Sequence, residues 1–266
     1  VSHIKIANRE FWGQSNQVID LLNKARNEGI DITADIYPYA HWHSTLRVLF
    51  PDRDYENINS AEIAVQKLFD PNESTLIEFA PFPHFKGMTI SEIAKERGES
   101  PSKTLIALVQ KAAAYKEAHP ESNGSIEAIA GKSMFESDII NFMKWPHTNI
   151  CSDGNGGGHP RGYGAFTRFL GKYVREQKIM STHEAVHKMT GLTANHLGLT
   201  KRGTIAKDHF ADLVLLDDNK VNDNATFQNS HALSDGIDIV WVNGQIVYQG
   251  KKCTSLRPGK LIKRNE

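Results

Sequence analysis

The sequence predicts an α/β chain, a segment of parallel sheet or barrel that carries a long excursion and is followed by a small β-domain. Three observations point there. Strand-like, helix-like and strand-like segments follow one another up to Tyr37, the spacing of a βαβ unit. A third short apolar strand returns near residue 150, after a long stretch of helices and loops. Past Gly203 the texture changes to short apolar runs, one of them broken by an Asn-Gly turn.

Residues 1–6 read as a short apolar strand ending in polar residues, with no earlier strand to pair with and no initiator Met. That opening is read as the start of the second part of a larger enzyme. Ser15 is a candidate N-cap for a helix over 16–27, which places Val18, Ile19, Leu22 and Ala25 on one face. Gly29 stops that helix, and residues 31–37 read as a second strand ended by Pro38. An excursion over about 40–145 follows. It has helical patterns at 60–69, 89–97, 101–115 and 135–143, between loops rich in Pro, His and Phe. An insertion of this kind between strands is expected to act as a lid or wall over a site. The third strand, 147–152, runs into Asp153 and the loop Gly154-Asn155-Gly156-Gly157-Gly158. Helices are expected at 166–176 and 181–189, and strands at 211–216 and 239–247. The division that results is a partial barrel domain, 1–200, and a small β-domain, 201–266.

Charge and composition exclude several function classes. The 266 residues carry 31 Lys+Arg against 31 Asp+Glu, so nothing favours nucleic acid or an anionic membrane as a partner. No apolar run approaches the ~20 residues needed to span a bilayer. Cys151 and Cys253 are far apart and form no CxxC pair, against a disulfide scaffold or a structural zinc knot. The compartment is not fixed by these features, a cytoplasmic one being slightly favoured.

His3 and Asp153 both fall at the C-terminal ends of predicted parallel strands, the catalytic face of an α/β barrel. A histidine and a carboxylate there suit a metal site, with Asp153 free to shuttle protons. A terminal surface histidine and a turn aspartate are the plainer alternatives. Lys5 shares the side of His3 on the strand and can bind a substrate anion. Arg161, in His159-Pro160-Arg161, can hold a carboxylate bidentately or lie as a solvated loop arginine. Two further motifs are read as decoys. His183-Glu184-Ala185-Val186-His187 matches the zinc signature HExxH, but Thr190 and Thr193 replace the residues of its extended form, and the segment also suits a capped amphipathic helix. His41-Trp42-His43 matches a metal-binding HxH pair but follows Tyr37-Pro38-Tyr39 in an expected loop, where a pocket-wall role fits better.

Motifs along nearly the whole chain carry a family resemblance. They are Ser2-His3-Ile4-Lys5, Trp12-Gly13-Gln14-Ser15, Ala34-Asp35-Ile36-Tyr37-Pro38-Tyr39 with Ser44-Thr45, and residues 90–98. They continue with Ser152-Asp153-Gly154, His159-Pro160-Arg161, residues 188–194, Arg202-Gly203-Thr204-Ile205, Ala211-Asp212-Leu213-Val214 and Val242-Asn243-Gly244. In this order and spacing the chain resembles the D-aminoacylase (N-acyl-D-amino-acid deacylase) family of the metal-dependent amidohydrolases.

The resemblance implies strands six to eight of a TIM-like (β/α)8 barrel, with a lid insertion and a closing β-domain. It implies His3 as a metal ligand and Asp153 as the aspartate that binds the metal and activates its water. Lys5, Tyr37 and Arg161 match the groups that hold the substrate carboxylate, and Ser44 falls near a further substrate-contacting serine. One or two divalent ions, zinc in particular, are implied, with most ligands upstream of Val1 on an N-terminal half. The implied substrate is an N-acyl-D-amino acid with a free carboxylate. The loop 153–161 departs from the family pattern, being shorter and richer in glycine. A dihydroorotase-like cyclic amidase and an inactive fragment with a structural role are the alternatives.

Overall fold

An apolar face on the first helix organises one side of the molecule. Leu22 of α1 (Ser15–Asn27) is buried, and Val18 and Ile19 pack beside it against the first of two cores. The face is the one its spacing predicts. The computed structural model describes residues 1–154 and 157–264. Asn155 and Gly156 of the glycine-rich loop lie outside the described residues.

After α1 the chain forms β1 (Ala34–Ile36) and β2 (His41–Ser44), then enters the insertion. There α2 (Ile58–Ile63) continues into a π-helical turn, Ala64–Leu68, and is followed by β3 (Thr75–Phe79), α3 (Ile90–Arg97), α4 (Pro101–Ala118) and β4 (Glu127–Lys132). The chain returns through α5 (Glu136–Lys144) to β5 (Thr148–Ile150). It then runs through α6 (Arg161–Arg168), which passes into the π-helix Phe169–Glu176, and on to α7 (Thr182–Met189) and α8 (Gly191–Leu197). Four strands close it: β6 (Leu213–Leu216), β7 (Ile237–Val242), β8 (Gln245–Gln249) and β9 (Lys252–Cys253).

β1 and β5 pair in parallel, with Ala34 opposite Thr148 and Ile36 opposite Ile150. Their buried residues join α1, α5 and the π-helix in a core that includes Tyr37, Phe142, Phe169 and Tyr173. The insertion has its own core. Its sheet is antiparallel in the order β2-β4-β3, and Leu46, Phe50, Phe69, Leu76, Ile90, Leu105 and Ile129 are buried with it. The sheet β6-β7-β8-β9 is antiparallel, its β7–β8 hairpin turning at Asn243-Gly244 as expected. All of its residues are partly or fully exposed.

Several expectations are corrected. Residues 1–6 are not a strand. Asp35 donates its N–H to the Val1 carbonyl (3.0 Å) and accepts from the Ile4 N–H (2.9 Å). That is parallel pairing with one residue too many, so the chain turns at Ser2-His3, where His3 has φ 38°. The Asp35 carboxylate stabilises the turn by accepting the His3 N–H at 2.8 Å. The predicted strand 31–37 shortens to β1. Residues 41–44 are strand rather than loop. Arg161 opens a helix instead of lying in a loop. The insertion is also more than helices and loops. β4 (Glu-Ala-Ile-Ala-Gly-Lys) has Ile129 as its one strand-favouring residue and is buried on both faces, so neither propensity nor alternation marks it.

Ser15 does not cap α1 either, because it lies inside the helix and the N-cap position is Gln14, which makes no side-chain cap. The cap comes from α5. The buried Asp138 carboxylate accepts the N–H groups of Gly13 (2.8 Å) and Ser15 (3.1 Å), a charge suited to the positive end of a helix. Asp138→Ala is therefore expected to lower stability by roughly 2–3 kcal/mol in denaturant unfolding, leaving two backbone donors without their acceptor. A loss within about 0.5 kcal/mol would show that the cap is not supplied this way.

Candidate active site

The parallel pairing of β1 and β5 places the residues that follow each strand side by side. Tyr37 leaves the end of β1. Cys151, Ser152 and Asp153 leave the end of β5, with Asp153 at φ 46°. Beyond the glycine loop, the first turn of α6 packs directly on this exit. A Cβ on Gly154 would lie 2.7 Å from the Gly162 Cα, so the two backbones approach as only a glycine at 154 allows. This contact brings Arg161 to Asp153.

His159 fixes that approach from beneath. It is buried, donates from Nε2 to the His41 carbonyl (3.0 Å) and accepts the Arg161 N–H on Nδ1 (3.1 Å). Its tautomer is thereby set. Burial first, then the Arg161 guanidinium, push its pKa down to about 2, so the ring is neutral. Tyr39 and Phe227 meet it edge to face at 5.3 and 5.2 Å.

A charged pole results. Arg161, 5% exposed, reaches Asp153 Oδ2 with Nη1 at 2.9 Å, and its guanidinium carbon lies 4.6 Å from the Tyr37 ring centre. Arg161 Nε is buried without a hydrogen bond, and the buried Tyr37 hydroxyl likewise has no hydrogen bond of good geometry. Burial raises the Tyr37 pKa. Lys5 donates from Nζ to the His3 carbonyl (2.7 Å) and to His3 Nδ1 (2.6 Å), and lies 5.6 Å from the Tyr37 ring centre. Its pKa is lowered by burial, with the Asp153 charge opposing and the Arg161 charge adding to the shift.

These groups share a cleft of about 560 Å³ with Ala7, Trp42, His43, Ser44, Val48, Leu49 and Leu68. All six residues singled out from the sequence, His3, Lys5, Tyr37, Ser44, Asp153 and Arg161, line it. Its second wall comes from the insertion. Trp42 faces Gly131 across the sheet, where a Cβ would lie 2.3 Å from the indole. Leu46 begins the 3-10 turn Leu46–Leu49, and its N–H donates to Glu127 Oε2 at 2.6 Å. Burial raises the Glu127 pKa to about 7, with the Leu46 N–H and the Arg47 charge opposing.

The His41-Trp42-His43 motif supplies wall residues, as expected, from a strand rather than a loop. His183 and His187 lie on the exposed face of α7. Among the described residues, no group of three or more His, Cys, Asp and Glu comes together in a way that could hold a metal ion. His3 and Asp153 thus reach the cleft as two donors without a third. Two supporting residues were missed. His159 had a signal, its place in the quoted His-Pro-Arg segment. Glu127 had none, since its partner Leu46 is remote in sequence.

The Amidohydrolase family model matches residues 150–248. An N-acyl-D-aspartate deacylase of Alcaligenes xylosoxydans xylosoxydans is 31% identical over 98% of this chain, which covers 46% of that protein. A crystal structure of D-aminoacylase, described as defining a novel subset of amidohydrolases, superimposes with a TM-score of 0.78 at 29% identity, over 99% of this chain and 49% of the other. An N-acyl-D-glutamate deacylase from Bordetella bronchiseptica, solved with zinc and a phosphonate mimic of the tetrahedral intermediate, gives 0.75 at 28% identity over 94% and 46%. The resemblance to N-acyl-D-amino-acid deacylases therefore extends over the chain, in sequence and in α/β fold, and the chain spans about half the length of the relatives it matches.

Glu127 gives the wall a measurable pH signature. Its folded pKa lies above the unfolded value of 4.5, so the folded state keeps a proton that the unfolded state releases as the pH rises from about 4.5 to 7. The contribution of Glu127 to stability falls across that window. Glu127→Gln keeps an acceptor for Leu46 and removes the titration. The variant is expected to gain on the parent by on the order of 3 kcal/mol between pH 4.5 and 7.5 in unfolding experiments. A difference that does not change with pH would contradict this.

Proposed function

We propose that this chain forms the substrate-binding and proton-transfer portion of a metal-dependent amidohydrolase that hydrolyses N-acyl-D-amino acids to a carboxylic acid and a free D-amino acid. The observation that carries the reading is the convergence of His3, Lys5, Tyr37, Asp153 and Arg161 on one cleft, together with similarity to deacylases along the chain. In this reading the chain is the C-terminal portion of such an enzyme. Residues 1–4, β1 and β5 stand for strands six to eight of a (β/α)8 barrel, 40–145 for its lid, and 201–266 for a closing β-domain.

Lys5 and Arg161 bind the substrate carboxylate, with Tyr37 beneath them supplying a buried hydroxyl and a ring that stacks on the guanidinium. Ser44, on the facing wall, is placed to contact the substrate. Asp153 is the general base. It takes a proton from the attacking water as the oxygen adds to the amide carbon, and returns a proton to the leaving nitrogen as the C–N bond breaks. Arg161 Nη1, 2.9 Å from Asp153 Oδ2, ties the base to the pole that binds the carboxylate.

A histidine nitrogen and a carboxylate oxygen are donors that zinc accepts. His3 and Asp153 would hold such an ion, His3 through Nε2 because Lys5 engages Nδ1. Bound there, a divalent ion would polarise the amide carbonyl and acidify its water. Two donors do not complete a site, so the remaining ligands come from a further portion of the enzyme, outside the described residues. A cyclic amidase is not favoured, because the relatives are named for open-chain N-acyl-D-amino acids. No helix among the described residues is long and apolar enough to cross a membrane.

The zinc-loaded enzyme, assembled from this chain and the portion that completes its metal ligands, should release free D-amino acid from N-acetyl-D-amino acids. Asp153→Asn should remove that turnover, and retained turnover would sink its assignment as the base. Arg161→Ala should lower kcat/KM roughly 10- to 100-fold for substrates with a free carboxylate, mainly through KM, and leave their methyl esters little changed. An equal loss on the esters would count against the clamp.

A further inference from the structure

We propose that Asp35 is a positioning residue of the metal site, acting through His3, whose ring it holds toward the cleft. This rests on the deacylase reading above and adds to it a residue that touches neither the ion nor the substrate.

The observation that carries it is one carboxylate oxygen with two donors from different chain segments. Asp35 Oδ1 accepts the His3 N–H at 2.8 Å and the Cys151 thiol at 3.0 Å. Cys151 lies two residues before Asp153, so this oxygen joins the segment that carries one metal-facing donor to the segment that carries the other. The thiol also fixes the direction of the carboxylate that takes the His3 N–H. The backbone of Asp35 spans the same junction. Its N–H and carbonyl pair with Val1 and Ile4 on one side, and the residue stands opposite Asn149 of β5 on the other. Among the described residues that line the cleft, neither Asp35 nor Cys151 appears.

The backbone of His3 is what needs the support. A φ of 38° is sparsely populated by residues that carry a side chain. Such a conformation persists where its surroundings enforce it. The extra residue between Val1 and Ile4 produces it here. Regular pairing in its place would shift the strand by one residue, and the alternation of side chains would turn the His3 ring away from the cleft. Lys5 depends on the same turn, since its Nζ donates to the His3 carbonyl at 2.7 Å. Asp35 is support rather than a third ligand, because its Oδ1 is taken by two donors and no group of three among the described residues could hold a metal ion.

The test measures the zinc affinity of the assembled enzyme by competition with a chromophoric chelator, beside turnover and thermal unfolding, in Asp35→Asn, Asp35→Ala and Asp35→Glu. Asn keeps an oxygen acceptor in place, and its zinc affinity is expected to stay at the parent's level. Ala removes the acceptor and Glu moves it by one methylene. Each is expected to weaken zinc binding about 10- to 100-fold, the loss usual when the partner of a metal ligand is removed. Should Ala fail to fold, Glu against Asn decides. Ala and Glu variants that bind zinc as tightly as the parent overturn the inference and leave the deacylase reading intact, even if they melt earlier. So does an Asn variant as weak as Glu, because the acceptor would then not be what matters. A parent enzyme that neither binds zinc nor releases D-amino acid overturns both readings.

Discussion

The cleft depends on three residues of parallel pairing. β1 and β5 are short, and the whole insertion lies between them, yet their register sets Tyr37 beside Asp153. Everything at the charged pole follows from that junction. Residues 1–4 add to the free edge of β1 through Asp35, which turns the chain so that His3 and Lys5 come to the same end. Gly154 lets α6 start against the exit of β5, and neutral His159 holds the first residue of that helix by its N–H. A long-range contact of this kind is costly in chain entropy. Here it is supported by helices packed on both flanks, including the buried Lys188, which donates to the carbonyls of Trp145 and Thr148 at 2.7 and 3.0 Å.

The insertion contributes a second body rather than a loop. Its three-stranded sheet and helices bury a separate apolar cluster, so the wall bearing Trp42, Val48 and Leu49 is shaped independently of the strand ends that bear the charges. The cleft lies where these two cores meet, a common place for small-molecule sites. The division has a chemical consequence. The cleft's charged groups follow Val1 and the ends of β1 and β5, and most of its apolar lining comes from the insertion. Phe227, from the segment leading to β7, meets both sides through His41 (4.9 Å) and His159 (5.2 Å).

What the sequence made legible was what local pattern controls. The α1 face, the Asn243-Gly244 turn and the helix expected at 89–97, which forms over Ile90–Arg97, all rest on neighbours within a few residues. What escaped depends on distant partners. The α1 cap is Asp138, far along the chain. The strand expected at 1–6 gives way to a turn because a carboxylate on β1 takes the His3 N–H. β3 and β4 are largely buried on both faces, so no alternation announces them. His3, Lys5, Asp153 and Arg161 stand out by residue type and placement as well as by motif order, whereas Tyr37 and Ser44 stand out by motif order alone. Their pairings, Asp153 with Arg161 and Lys5 with His3, appear only once the strands are paired.

The central claim is that a substrate carboxylate is held at the pole formed by Lys5, Tyr37 and Arg161, with the scissile bond against Asp153. A crystal structure of the zinc-loaded enzyme with a phosphonate analogue of an N-acyl-D-amino acid tests it most directly. The account predicts the analogue's carboxylate within hydrogen-bond distance of Lys5 Nζ and the Arg161 guanidinium, and its phosphonate beside His3 and Asp153. An analogue bound elsewhere, or bound with its carboxylate turned toward Val48 and Leu68, would contradict it.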